Sequence, residues 1–583
     1  MFVLDFFTTL HLYSNHSGVK GLKKPKIDDE FSQKMDFFRQ HFCQNLSDDL
    51  TESLKGKQCS KSEKIKLKLG KFLVTRASTS SNMHCTDPTN ELSFSEFGIN
   101  SKLIKNFPIT NSGDLTSQQS ALYQIIGRYM DLLYVSKGIN YLPLICLHSI
   151  NHITRTRNLV VNNKNHLEAL TEQGKITDDD IENARDQGFS RPKVLILSPF
   201  RKFAYEIVHG FIKLVFGDEK KTFVMNLNKF DEEYGDDRNR IHEKRDVAQE
   251  YKDLMSGNID DCFRIGIGLA KKSLKLYTSF DESDILLCSP LGLRMIIGDS
   301  VESHHEQDFL SSIEVLIVDH AHVMLMQNWE HVLHIFENVN EIPSKINVDI
   351  SRVRHWSIKN LSKLYRQTIV FSELNFTELH TLFNLYAKNY AGIISAFAVP
   401  SSVLDQIEIP ITQELHRFDI DDPKNQSDFR FNYFVKNILP QCESGTLIFI
   451  SSYFDYIRLR NYLKREEESF VQLHEYAKDV KIARARDLFF HGKKKFILLT
   501  ERFHFFRRYR IKGIKSLVFY QLPVNPQFYT ELINFSTPDE NEKLLSKLIF
   551  SKFDSFRLQN AFGLEQARQL IRSEKRFHAL LSE

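Results

Sequence analysis

Asp319, His320, Ala321 and His322 end the apolar run that begins at Ile313, in the stretch IEVLIVDHAHVMLMQNWEHV. A carboxylate at the end of a buried strand is the group that holds a magnesium-bound water in phosphoryl transfer. Imidazoles beside it can accept protons or ligate a transition metal. Three chemistries are therefore open here: nucleotide hydrolysis, metal-dependent hydrolysis, or none, with the strand end kept for its shape. The metal alternative rests on His304, His305, His320, His322, His331 and His334, all within thirty-one residues. His331 and His334 are spaced i, i+3, which places both on one helical face beside Glu330, but no cysteine accompanies them and the i, i+4 pair of H-E-x-x-H is absent. The set reads as hydrogen-bonded or solvent-facing imidazoles, and no metal or other cofactor is expected.

A second group of residues is suited to binding. In RFHFFRRYRIKGIK, residues 502–515, Arg502, Arg507, Arg508, Arg510, Lys512 and Lys515 interleave with Phe503, Phe505, Phe506 and Tyr509. Cations hold phosphates and aromatic rings stack on bases, so RNA is one reading. The other is that the rings are core and the arginines pair with acidic neighbours. Arg201 and Lys202, directly after Pro199 and Phe200, are further RNA candidates. Trp329 in MQNWEHV and Trp356 in DISRVRHW, the latter with Arg352 and Arg354, are of the types that anchor protein partners. They serve equally well as packing anchors for a loop.

These residues need a scaffold to hold them. A length of 583 residues allows about four average domains, or two large ones with insertions. A content of 42% hydrophobic and 26% charged residues is that of a folded soluble chain. Lysine and arginine number 77 against 74 acidic residues, so the net charge of +3 neither demands nor excludes nucleic acid, and any basic surface is local. The seven cysteines form no C-x-x-C pair, which speaks against a zinc ribbon or disulfide framework and favours a reducing compartment. The opening MFVLDFFTTLHLY contains Asp5 and lacks a basic leader, so it is not read as a signal peptide. No run of about 18 uncharged apolar residues is present, so no membrane partner is expected.

Residues 1–110 read as an arm, partly disordered and locally basic: Leu54 to Phe72 carries seven lysines and one glutamate. Apolar runs then begin: PKVLILSPF (192–200), SDILLCSPLGLRMII (283–297), SIEVLIVDHAH (312–322) and RQTIVFS (366–372). A second series holds GTLIFISS (445–452), KFILLTE (495–501) and SLVFYQLP (516–523). Continuous runs followed by helical patterns predict parallel strands covered on both faces. The charged insertion 231–253 reads as a solvated helix or loop. Two α/β domains are expected, 111–400 and 401–583, the second closing with helices, meeting in the proline-containing acidic stretch near 395–425.

The order of these runs resembles that of DEAD-box helicases over roughly 400 residues. LILSPFRKFA resembles the P-T-R-E-L-A element, ILLCSPLGL the A-T-P-G-R element, VLIVDHAHVML the D-E-A-D element and QTIVFSEL the strand ending in Ser-Ala-Thr. The resemblance implies two tandem RecA-like domains, the first degenerate and without a phosphate loop. Three parts of a motor are missing. No G-x-x-x-x-G-K-[ST] loop is present, and YLPLICLHSINHITRTRNLV (141–160), taken as its place, has no glycine. His320 stands where a glutamate would orient the attacking water, and QLPVNPQFYTELINFSTPDENE (521–542) offers no arginine finger. ATP hydrolysis is not expected, and a helicase with divergent motifs is the alternative.

GNIDDCFRIGI (257–267), SPLGLR (289–294), VDHAHVMLMQNWEHV (318–332), DISRVRHW (349–356), YRQTIVFS (365–372), SSYFDYIRLRNYLK (451–464) and TERFHFFRRYRIKGIKSLVFYQLP (500–523) closely resemble the digestive-organ-expansion-factor family over about residues 115–583. That family consists of nucleolar small-subunit processome proteins with a degenerate DEAD-box-like core. The resemblance implies a nuclear and nucleolar pseudohelicase acting in pre-rRNA processing and 18S rRNA maturation. Its implied partners are pre-ribosomal RNA, the box C/D snoRNP and other processome proteins, with no small-molecule substrate. The family usually begins with a long acidic arm, whereas the lysine-rich start here departs from that pattern and puts arm-mediated contacts in doubt.

Overall fold

The computed structural model describes residues 36–55, 59–79, 88–89, 91–218, 223–236, 247–270, 273–298, 307–346, 348–536 and 544–582. Expectations for residues 1–35, and for His304 and His305, fall outside the described residues. In the first domain the strands are β1 (Cys59–Lys64), β2 (Phe72–Thr79), β3 (Asp131–Val135), β4 (Val194–Leu197), β5 (Val224–Met225), β6 (Arg264–Leu269), β7 (Leu274–Leu276), β8 (Ile285–Cys288), β9 (Val315–Val318), β10 (Gln367–Ser372) and β11 (Ile393–Ala398). They form one sheet in the order β1-β2-β11-β3-β10-β9-β4-β8-β6-β7-β5. From β11 to β8 neighbouring strands are parallel. β3, β4, β8 and β9 are buried residue by residue, which requires the near-continuous apolar runs seen in the sequence. Antiparallel pairs flank this block, β2 on β11, β1 on β2, β6 on β8 and β7 on β6, and the last strand, β5, is parallel to β7.

The second domain contributes β12 (Ile411–Arg417), β13 (Thr446–Ile450), β14 (Phe470–Leu473), β15 (Phe496–Thr500), β16 (Ser516–Phe519), β17 (Leu544–Phe550) and β18 (Phe577–Ser582), in the order β14-β15-β13-β16-β17-β12-β18. Only β18 runs antiparallel to its neighbour. The chain crosses from one sheet to the other between Ala398 and Ile411. Helices that position the site are α1 (Phe37–Phe42), α2 (Leu142–Glu172), α3 (Arg201–Phe216), α4 (Ala321–Gln327), α5 (Tyr453–Arg465), α6 (Asp479–Phe490) and α7 (Glu501–Arg507). Of the charged insertion, the described residues form helical turns at Leu227–Tyr234 and Gln249–Met255. No described helix is long and apolar enough to cross a membrane.

Over its described residues, the 1–110 segment is part of the first domain rather than an arm. Phe37, Phe38, His41 and Phe42 on α1 are buried. His41 stacks on Tyr390 at 4.6 Å, the Trp356 indole N–H donates to the Phe42 carbonyl at 3.1 Å, and Arg155 reaches the Asp36 cap. The lysine-rich stretch supplies β1, an edge strand whose charges keep it from pairing further. Less than two helical turns and an edge hairpin give little periodic signal, so only tertiary packing reveals them. Phe42→Ala is expected to cost about 3–5 kcal/mol in urea unfolding. It should also make the chain before residue 46 susceptible to protease under native conditions.

Candidate functional site

Because β10 lies between β3 and β9, the carboxyl ends of these three strands open into one crevice, the place where open parallel sheets bind ligands. Asp319 follows β9 there and is buried. The next residue, His320, adopts the left-handed conformation (φ 52, ψ 50), which turns the chain abruptly into α4. That turn lays its ring on Phe203 at a centroid distance of 4.0 Å and sets Nδ1 2.7 Å from Asp319 Oδ1. Burial by itself would lower the imidazole pKa, but Asp319, helped by Glu373 and Glu206, outweighs it and raises the value above 6.5. Asp319 has two further hydroxyl neighbours. The Tyr141 hydroxyl donates to Oδ1 at 2.9 Å and the Ser198 hydroxyl approaches Oδ2 at 3.4 Å. Tyr141 is fixed by stacking flat on Phe371, 3.9 Å away at 5°.

The turn from β3 into α2 spans residues 136–141, so the place of a phosphate loop lies just before the 141–160 stretch in which the sequence reading sought it. It does contain a glycine, Gly138, at φ +90, and a lysine, Lys137, which pairs with Glu250 at 3.7 Å. A cradle of consecutive N–H groups needs more glycines, with the lysine after them. In this chain Tyr141, whose ring carries the hydroxyl bound to Asp319, occupies the end of the turn. A hollow of about 510 Å³ remains beside Gly138, Glu206, Lys213 and Asp319. A second, of about 440 Å³, lies between the domains beside Lys137, Lys202, His322, Phe505 and Arg508.

The other histidines are engaged separately. His322 is held neutral by burial, and its Nδ1 accepts the Glu373 N–H at 3.2 Å. His331 bonds with Asn328 and His334 with the Gly298 carbonyl. Among the described residues, no three His, Cys, Asp or Glu side chains are grouped to hold a metal.

The structure distributes the RNA candidates unequally. Arg201 is bound to the Glu233 and Cys262 carbonyls and to Asp260, while Lys202 donates to the Asp253 carbonyl at 2.5 Å. Arg502 crosses between domains, its Nε donating to the Met326 carbonyl at 2.9 Å. Arg508 is buried against Glu531 at 2.7 Å and over the Phe528 ring. Arg507 pairs with Asp479 at 3.3 Å, and Arg510, which is exposed, stands 5.8 Å over Phe535. Lys512 and Lys515 are also exposed. Phe503 and Phe505 are core.

Of the partner candidates, Trp356 is buried and stacks on Tyr365 at 4.5 Å, and half-buried Trp329 meets Phe376 edge-on at 5.5 Å. Arg352 is bidentate to Asp186 at 2.7 and 2.8 Å, and Arg354 donates to Glu314 at 2.8 Å. The crevice side chains that sequence reading missed are Tyr141 and Lys137. Their available signal was SKGINY directly after the buried run DLLYV.

Residues 129–394 match the family described as UTP25, NTP hydrolase-like domain, and residues 403–580 match Utp25, C-terminal domain. The chain is 33% identical over 555 residues to U3 small nucleolar RNA-associated protein 25 of Schizosaccharomyces pombe, covering 92% of this chain and 82% of that protein. The chain belongs to the U3 small nucleolar RNA-associated protein 25 family. The human homolog is 41% identical over 490 residues, covering 82% of this chain and 64% of the human protein. The chain therefore spans under two thirds of that relative's length. Among solved structures, the yeast DEAD-box splicing factor Prp28 is 14% identical with a TM-score of 0.32, covering 86% of this chain and 92% of that one. Dbp5 bound to RNA and ADP BeF3 is 13% identical with a TM-score of 0.27, covering 80% and 93%. Tyr141 and the Asp319–His320 pair fall inside the first UTP25 segment, and Arg502 and Arg508 inside the second.

Replacing His320 by Asn preserves a residue that tolerates the left-handed conformation and removes the cation. The loss is expected to be about 1.5–3 kcal/mol near pH 6. Folding raises the His320 pKa above 6.5, so its stabilisation is complete below pH 6.5 and fades as pH climbs through the raised value. Urea unfolding of both proteins from pH 6 to 9 should therefore show the gap between wild type and variant closing at the alkaline end.

Proposed function

We propose that this chain is a non-catalytic pseudohelicase scaffold of the small-subunit processome, acting in the nucleolus in pre-rRNA processing and 18S rRNA maturation. Its proposed partners are pre-ribosomal RNA, the box C/D snoRNP and other processome proteins. Assignment to the digestive-organ-expansion-factor group belongs to the same proposal. The names of its relatives, which associate them with U3 small nucleolar RNA, support the pathway. The observation that carries the non-catalytic part is the closure of Asp319 by His320 and Tyr141. With His320 and Tyr141 both on Oδ1, the carboxylate is paired inside the chain, and a histidine already bonded to it lacks the negative field of a glutamate base.

A fixed domain arrangement suits a scaffold. Phe505, Val524 and Phe528 of the second domain share one apolar cluster with Phe203, Tyr251, Met324 and Met326 of the first. The Tyr251 hydroxyl donates to the Phe506 carbonyl at 2.8 Å, parallel in effect to the Arg502 link.

Two measurements test the reading. Crosslinking in cells should recover pre-ribosomal RNA and U3 small nucleolar RNA, and their absence would undercut the pathway. Purified protein labelled on both domains should show no saturable Mg·ATP binding and no change in interdomain distance on its addition. Micromolar ATP affinity with RNA-stimulated hydrolysis, lost in Asp319→Ala, would replace the scaffold by a divergent helicase.

A further inference from the structure

In the second sheet β14, β15 and β13 are adjacent and parallel, so the turns after β13 and β14 emerge on the same edge and start α5 and α6 there. On one side of β15, α5 opens with Tyr453 and Phe454, and on the other the turn after β14 carries His474, Glu475 and Tyr476. The Tyr453 and Tyr476 rings meet edge-on at 5.3 Å. Beneath them Tyr456 is buried, stacks on His474 at 5.4 Å and donates to Gln472 at 2.8 Å, which gives the outer rings a firm base. Phe454 is 83% exposed, Tyr476 67% and Val480 80%. Three large apolar side chains so exposed, following the ends of the two strands that flank β15, mark a contact surface.

The charge around the rings selects the occupant. Arg460 and Lys481 both act electrostatically on the His474 imidazole, Arg460 also bonds Tyr456, and Lys478 lies exposed between Tyr476 and Val480. The nearby acids are engaged elsewhere. Glu475 accepts from the Thr500 hydroxyl at 2.9 Å and faces Arg502 at 3.7 Å, Asp479 pairs with Arg507, and Asp455 is bound by the Ser427 hydroxyl. Exposed rigid rings flanked by cations are what unpaired bases and their phosphates require, whereas a duplex hides its base faces.

We propose that the ledge formed by Tyr453, Phe454 and Tyr476, with Arg460, Lys478 and Lys481 around it, binds single-stranded RNA by stacking bases. This rests on the RNA-associated reading above and gives it a surface distinct from the Asp319 crevice. The test is fluorescence anisotropy of the full chain with a labelled 12-nucleotide oligouridine and, separately, a 12-base-pair RNA duplex.

Each exposed ring removed is expected to weaken single-strand binding about tenfold. Phe454→Ala/Tyr476→Ala should thus lose about a hundredfold at an unchanged unfolding midpoint, while Tyr476→Phe binds as wild type. Lys481→Glu should weaken binding and flatten its salt dependence. Equal affinity in the double alanine variant, or a wild-type preference for duplex, overturns the ledge. Sedimentation of tagged protein with pre-ribosomal particles separates the two claims. A variant that loses oligouridine yet sediments with particles supports the ledge and leaves the scaffold standing; one that keeps oligouridine but leaves the particles assigns these rings to a protein contact. Wild-type protein absent from the particles counts against the scaffold reading itself.

Discussion

A buried carboxylate without a cation carries a desolvation cost of several kcal/mol. At Asp319 the partner is the imidazole of the adjacent residue, 2.7 Å away, whose pKa the carboxylate raises against the effect of burial. The pairing is written into the backbone, because the left-handed turn at His320 and its stacking on Phe203 leave the imidazole little freedom to swing aside. Tyr141 completes the arrangement from the opposite wall, so β3, β9 and α3 converge on one carboxylate. On the proposed reading, a carboxylate that a motor would pair with a magnesium ion arriving and leaving with nucleotide is paired instead with a side chain of the same chain. The crevice is then a fixed joint between elements.

The same logic extends to the domain junction and to the loop between β9 and β10. Two arginines read from the sequence as RNA candidates are internal fastenings: Arg502 on a carbonyl of α4, and Arg508 on Glu531. In the first domain, burial by itself would raise the Glu314 carboxyl, yet Arg354, His152 and Lys193 hold it down at about 2. With Arg352 on Asp186, this network ties residues 350–356 to α2 and to the strand that leads into Asp319. Removing one member would strand a buried charge, which is why such segments tolerate change poorly.

Much of the architecture was legible before folding was considered. The runs VLIL, ILLC, VLIV and QTIVFS became β4, β8, β9 and β10, because fully buried parallel strands must be apolar throughout. β3 was passed over, because DLLYV is short and its first residue, Asp131, is a carboxylate whose burial only tertiary partners satisfy. Burial pushes the Asp131 carboxyl up to about 7, while the N–H groups of Thr368 and Asn389 satisfy it, and both partners are more than two hundred residues away in sequence. The α1 helix was missed for a related reason: its rings are core only because Tyr129, His152, Trp356 and Tyr390 come from distant segments to meet them.

Sequence by itself determined the apolar runs of two α/β halves and the absence of a G-x-x-x-x-G-K-[ST] motif, because each depends on residue type along the chain. Tertiary structure decided what those residues do. It selected Tyr141 as the donor to Asp319, turned Arg502 and Arg508 inward, buried Trp356 and left Phe454 and Tyr476 in water. Ion pairing, hydrogen bonding and ring stacking act over a few ångströms in space. No periodicity along the chain states which distant side chains the packing of two sheets will bring that close.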